Sequence, residues 1–208
     1  MYDDEAWEKY PKHHKWFNKL WLAEELGYIC GPAGTCVPKK DLYIVRPIYN
    51  LLGMGVDAKI MHLNPEWETC QVPAGHFWCE RFEGDVYSYD FTRTYRGWRQ
   101  DSCWKGHTGL QLWMFTKWEK CNRKLKLPSL FNYLAFSNIE HINVETVEDN
   151  IIEVHLRKSP DPYGDYSVLI PRWENCSTPQ NLEEYTYIES YDNADGQLPI
   201  TRLGFYAK

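Results

Sequence analysis

Ile142-Asn143-Val144-Glu145-Thr146-Val147 and Ile151-Ile152-Glu153-Val154-His155-Leu156-Arg157, joined by Glu148-Asp149-Asn150, read as a β-hairpin and decide the fold. The strand period of two sets Ile152, Val154 and Leu156 on one face and Glu153, His155 and Arg157 on the other. With Glu148-Asp149-Asn150 as the turn, an antiparallel register pairs Val147 with Ile151, Glu145 with Glu153, and Asn143 with His155. Two carboxylates then stand opposite each other on one face. Like charges so placed destabilise a sheet unless a cation or a shared proton sits between them. A divalent metal would supply that charge, and carboxylates suit Mg²⁺, which is commonly held together with substrate phosphates that Arg157 could also reach. The bland alternative is a solvated hairpin face with Arg157 in an ordinary ion pair.

Upstream of the hairpin, Leu42 to Val45 reads as a short strand stopped by Arg46-Pro47, and two glycines flank one residue in Gly53-Met54-Gly55. A strand resumes over 57–62, and His76 to Phe82 and Asp85 to Thr92 form two more, joined by Glu83-Gly84. Apolar spacing predicts a helix over 12–26 ended by Gly27, with a loop over 31–40. A second helix is expected over 127–136, opened by Pro128-Ser129. The segment 98–109 reads as irregular, and 110–121 fits neither a helical nor a strand period. Beyond Ser159 the chain is rich in Pro, Tyr and acidic residues, with short ordered pieces expected.

Ten Trp, fifteen Tyr and eight Phe in 208 residues exclude a disordered chain. A formal charge of −6 gives no footprint for general nucleic-acid binding, and Arg93, Arg96 and Arg99 read as a solvated face, with a single-strand surface as the alternative. The acidic first ten residues are the opposite of a secretion signal, and no stretch approaches 18 apolar residues. Seven scattered cysteines lack any metal-ligand spacing, so free thiols and a cytoplasmic location are expected.

Ile151 to Arg157 resembles the closing signature of the ATP-grasp superfamily, a strand of the form apolar-apolar-Glu-apolar-Asn-x-Arg, with His155 at the Asn position. Ile142-Asn143-Val144-Glu145 is similar to the preceding strand, which carries the other metal carboxylate. Tyr43-Ile44-Val45-Arg46-Pro47 followed by Gly53-Met54-Gly55 resembles the family's strand ending in Lys-Pro and its glycine-rich phosphate loop. His76 to Gly84 and Tyr87-Ser88-Tyr89-Asp90 resemble the hinge strand beneath adenine and the strand after it. The order of these four pieces over residues 43–157 matches the family.

The resemblance implies an α+β fold in which two subdomains with antiparallel sheets, about 1–82 and 83–208 of a single domain, clasp a nucleotide. It implies ATP and Mg²⁺ as cofactors, with Mn²⁺ as the alternative that His155 would favour. Glu145, Glu153 and His155 would hold the metal; Arg46, Gly53, Gly55, Glu80, Arg81 and Phe82 would hold ATP; Arg46 and Arg157 would be catalytic. The implied activity is an ATP-dependent carboxylate ligase joining a small-molecule or peptide carboxylate to an amine or thiol through an acylphosphate. Only about 40 residues precede Tyr43, too few for the family's usual substrate domain, so a partner protein could complete the substrate site. The rival expectation is a noncatalytic nucleotide- or partner-binding module built on the same fold.

Overall fold

A computed structural model describes residues 1–66, 71–109, 111–179 and 181–208. Among these residues, twelve strands form two antiparallel sheets. The smaller has the order β1-β4-β2-β3, from β1 (Cys30–Pro32), β2 (Asp41–Pro47), β3 (Lys59–Leu63) and β4 (His76–Glu80). The larger runs β11-β12-β10-β7-β6-β5-β8-β9. Its strands are β5 (Val86–Thr94), β6 (Gly97–Thr108), β7 (Phe115–Lys120), β8 (His141–Val147), β9 (Asn150–His155), β10 (Val168–Trp173), β11 (Thr186–Asp192) and β12 (Arg202–Ala207). With two short α-helices the class is α+β. No helix among the described residues is long and apolar enough to cross a membrane.

The N-terminal segment supplies the helical layer. α1 (Asp3–Lys9) comes first, and a 3-10 turn (Pro11–Phe17) and α2 (Lys19–Glu25) replace the single helix expected over 12–26. Asn18 divides it: its backbone is extended, and its side chain accepts a hydrogen bond from Trp21 N at 2.8 Å, which caps α2. Gly27, at φ 77, terminates α2. Ala6, Tyr10, Trp16, Phe17 and Leu22 from this segment pack on Tyr87, Tyr89 and Phe91 of β5, Ile142 and Val144 of β8, and Val154 of β9. Trp16 stacks on Phe136 with ring centroids 4.1 Å apart. This apolar layer covers one face of the larger sheet, leaving the alternate residues Asn143, Glu145 and Val147 on the other.

The same alternation works in the smaller sheet. Tyr43, Val45 and Trp78 enter one buried cluster, while Ile44, Phe77 and Cys79 pack with Ala23 and Leu20 of α2 on the opposite face. Arg46 follows Ile44 in the period of two and so shares its side of the strand.

Several sequence expectations are corrected. Of residues 98–109, read as irregular, 98–108 belong to β6, the longest strand among the described residues, which pairs with both β5 and β7. A bulge explains the misreading: Asp90 pairs with Ser102 but Phe91 with Gln100, so Asp101 is an extra residue that breaks the period. The undecided stretch contains β7, with Leu110 outside the described residues. The helix expected over 127–136 is two 3-10 turns, Ser129–Phe131 and Tyr133–Phe136. The tail holds β10, β11 and β12, and short β1 lies at the start of the expected loop.

Close packing around β6 gives a direct test. A Cβ at Gly106 would lie 2.7 Å from the Phe115 ring and 2.8 Å from Trp118. Gly106→Ala is expected to destabilise the fold by about 1–3 kcal/mol through overpacking. An unchanged denaturant midpoint would contradict the tight β6–β7 contact.

Candidate functional site

The β8–β9 hairpin reaches the expected facing by a different route. Its turn is two residues, Glu148-Asp149, with Glu148 at φ 53, so Val147 pairs with Asn150 and Thr146 with Ile151. A bulge at Ile152 then restores the register, and Glu145 faces Glu153 while Asn143 faces His155. As a consequence Ile151, not Ile152, joins the apolar face with Val154 and Leu156. Ile152 instead borders the cleft, and its carbonyl accepts a hydrogen bond from Arg46 Nη2 at 2.9 Å. This bond ties the smaller sheet to the larger.

A cleft of about 370 Å³ lies between the sheets. Arg46, Gly53, Gly55, Arg81, Phe82, Glu145, Glu153 and His155 all line it. In the 53–55 loop, Gly53, Met54 and Gly55 all have positive φ (71, 56 and 61), a path that glycine follows without strain. Asn50 fixes the turn, its amide donating to Gly53 O at 2.8 Å. Residues 81–84 leave the β-ladder after β4 and run along the cleft before β5. Two expected residues stand elsewhere. The Glu80 side chain accepts from Ile29 N at 2.8 Å, where it secures the start of β1, and borders a different depression with Lys39 and Asp41. Arg157 borders an adjoining smaller pocket.

One ligand atom from each of Glu145, Glu153 and His155 lies within 4.8 Å of the others, close enough for a shared cation. His155 Nε2 is 3.7 Å from Glu145 Oε1 and 3.7 Å from Glu153 Oε1. Its other nitrogen, Nδ1, lies 2.7 Å from Asp3 Oδ2; an ionised carboxylate only accepts, so Nδ1 carries a proton and Nε2 points to the carboxylates. A carboxylate behind an imidazole is the usual support for a histidine metal ligand. Two carboxylate oxygens and one imidazole nitrogen therefore fit a divalent ion, and Mn²⁺ better than Mg²⁺.

Two residues that the sequence reading did not single out complete the electrostatics. Lys19, at the start of α2, places Nζ 2.7 Å from Glu153 Oε1, with only 6% of its side chain exposed. Its backbone N–H donates to Ile48 O at 2.9 Å, which anchors α2 just beyond Arg46-Pro47. Asp3, 2% exposed, accepts from both His155 and Arg157, the latter at 2.8 Å. Burial opposes charge on Glu153, but Lys19, His155 and Arg46 outweigh it and hold the carboxyl below its ordinary range. Burial would also neutralise His155, yet the Asp3 charge, aided by Glu153, pushes the imidazole up to about 10. Asp3 is held well below the carboxylate range by His155 and Arg157 despite its burial. The facing carboxylates did signal that a cation was required; nothing local in the sequence signalled that the chain itself supplies one through Lys19.

No protein-family model matches this sequence. No curated protein matches it either. Among solved structures, an ATP-grasp superfamily protein from Archaeoglobus fulgidus superposes with a TM-score of 0.50 at 13% identity, over 93% of this chain and 64% of that one. The L-amino acid ligase from Bacillus licheniformis gives a TM-score of 0.47 at 10% identity, covering 69% of this chain and 41% of that one. The chain thus spans less than two thirds of the length of either protein, and its fold is ATP-grasp-like.

Proposed function

We propose that this chain binds ATP with a divalent metal in the cleft between its two sheets and acts as an ATP-dependent carboxylate ligase. The observation that carries the reading is convergence: a cationic strand end, a glycine loop, a connector free of the ladder and a three-residue metal-fitting cluster all border one cavity. Glu145, Glu153 and His155 would hold Mg²⁺ or Mn²⁺, which would screen the phosphate oxygens. Arg46 and Lys19 supply fixed positive charge beside that cluster, where charge spreads during phosphoryl transfer. Backbone groups of residues 81–84 offer donors and acceptors to adenine, with Phe82 as its apolar wall.

In the proposed reaction an oxygen of the substrate carboxylate attacks the γ-phosphorus. The bond from that phosphorus to the bridging oxygen breaks, and ADP leaves with the electron pair. An amine or thiol then attacks the acyl carbon of the acylphosphate, losing its proton, while phosphate departs with the C–O electron pair. Glu145 is the more exposed carboxylate of the pair, with 32% of its side chain open against 14% for Glu153. It therefore borders the space into which substrate would enter.

Binding calorimetry with non-hydrolysable ATP and GTP analogues, each with Mg²⁺ and Mn²⁺, tests the nucleotide site. ATP is expected to bind at least about fivefold tighter, because guanine leaves polar groups unmatched against the connector at a cost of roughly 1–3 kcal/mol. Equal affinities would remove the 81–84 connector from base recognition. The Lys19–Glu153 ion pair favours a second reading, a noncatalytic nucleotide-binding module in which Lys19 has taken over the metal's charge. Binding of ATP without ADP release across a panel of acids and amines would support that module over the ligase.

A further inference from the structure

Six cysteines among the described residues are free thiols, and two of them meet away from the cleft. Cys103 of β6 and Cys121, the residue after β7, place their sulfurs 3.0 Å apart. The β6–β7 register ends at Trp104 with Lys120, so Cys103 and Cys121 form the next pair beyond it. The Cys121 N–H donates to Cys103 O at 2.9 Å and holds the two backbones together there.

The chain on either side of Cys121 is also anchored. Gln100 of β6 donates through its side-chain amide to Arg123 O at 2.8 Å and accepts from Leu125 N at 3.0 Å, which clips the segment after Cys121 to β6. Arg123 in turn donates to Glu148 at 3.0 Å and to Asp149 at 2.8 Å in the β8–β9 turn. The sulfurs are therefore held as neighbours by backbone fixed on both sides. A disulfide bond is about 2.05 Å long, so closing the gap moves each sulfur by about 0.5 Å, a side-chain adjustment. The two thiols differ in access. Cys103 is 2% exposed within the apolar cluster, whereas Cys121 is half-buried at its margin. Burial, with the Cys121 sulfur beside it, pushes the Cys103 thiol above its ordinary range. Cys103 keeps its proton, and a small oxidant meets Cys121 first.

We propose that Cys103 and Cys121 form an oxidation site that hydrogen peroxide converts into an intramolecular disulfide, with Cys121 as the attacking thiol and Cys103 as the resolving one. The Cys121 thiolate sulfur attacks one peroxide oxygen; the O–O bond breaks, and hydroxide leaves with the electron pair and takes up the proton that Cys121 released, giving water and a sulfenic acid. The Cys103 sulfur then attacks the Cys121 sulfur. An S–S bond forms, the S–O bond breaks, and the departing hydroxide takes the Cys103 proton to give a second water. Two thiols thus lose two electrons and the peroxide gains them, while a dithiol reductant returns them in the reverse direction. Neither cysteine borders the cleft or the smaller pocket beside it, so this site does not depend on the ligase reading.

The test treats the full chain with hydrogen peroxide at a dose that oxidises the exposed Cys36, blocks the remaining thiols by alkylation and maps the peptides by mass. A cross-linked pair joining Cys103 to Cys121, two hydrogens lighter than the reduced peptides, is expected, and dithiothreitol should abolish it. The cross-link should raise the melting temperature by at least about 5 °C, because it joins residues 18 apart in the unfolded chain. In Cys103→Ala the shift should disappear, and a dimedone probe should label Cys121 as the trapped sulfenic acid. The wild-type map decides the matter even where that variant folds poorly. Recovery of both Cys103 and Cys121 as free thiols overturns the site, and a cross-link from either one to a different cysteine overturns the pairing. A Cys103–Cys121 cross-link that lowers the melting temperature overturns its closure within the native fold.

Discussion

Replacing Asp3 with Asn is expected to lower the melting temperature by roughly 10 °C at neutral pH. The side chain is 2% exposed and compensates two buried groups at once, His155 at 2.7 Å and Arg157 at 2.8 Å. Removing one partner of a buried ion pair costs about 3–5 kcal/mol, because the remaining charge is left in a medium that solvates it poorly. For a chain of this length each kcal/mol corresponds to about 2–4 °C. The acid limb gives an independent check. Asp3 is depressed in the folded state from an ordinary value of 3.8, so its contribution is complete above that value and disappears as the folded chain is forced to take up its proton at lower pH. The wild type should therefore lose more stability than Asp3→Asn between pH 5 and pH 3. Parallel acid profiles, or a variant that melts with the wild type at pH 7, would refute the role assigned to Asp3.

The contrast between Asp3 and Glu145 shows which parts of the site were readable. Glu145 and Glu153 face each other because of a local rule, the two-residue period of paired strands, and that rule operates within one hairpin. Even there the details differed: the turn is one residue shorter than expected, and the bulge at Ile152 cancels the difference, so the facing survived while the side of Ile152 did not. β6 was hidden by the same device, since Asp101 breaks the alternation that would have revealed a strand. Lys19 and Asp3 are tertiary additions. They reach β9 only because the N-terminal segment folds back onto the larger sheet through Trp16, Phe17 and Leu22, a contact that no local pattern encodes. Glu80 shows the converse: a residue in the matching segment whose side chain is already committed to Ile29.

Metal affinity should climb with pH, by about tenfold per unit, or roughly a hundredfold between pH 6.5 and 8.5. The sign follows from His155. In the metal-free chain its imidazole, although buried, is pushed up to about 10, chiefly by Asp3, so it is protonated across this whole range. Nδ1 keeps its proton on Asp3, and Nε2 is the nitrogen that lies between Glu145 and Glu153. A metal ion can bind Nε2 only after its proton has left, so one proton is released per ion and the logarithm of the affinity rises by one per pH unit. Glu153 contributes no slope here, because its carboxyl is held below its ordinary range by Lys19, His155 and Arg46. If His155 contacted only a phosphate, protonation would strengthen the site and the slope would be reversed. Titration of Mn²⁺ in two buffers of different ionisation enthalpy measures the proton count directly. His155→Asn should remove the slope, since an amide oxygen ligates without losing a proton. A wild-type affinity that falls as pH rises, or an Asn variant with the same slope, would exclude His155 from the metal site and leave Glu145 and Glu153 to the cations that the chain itself supplies.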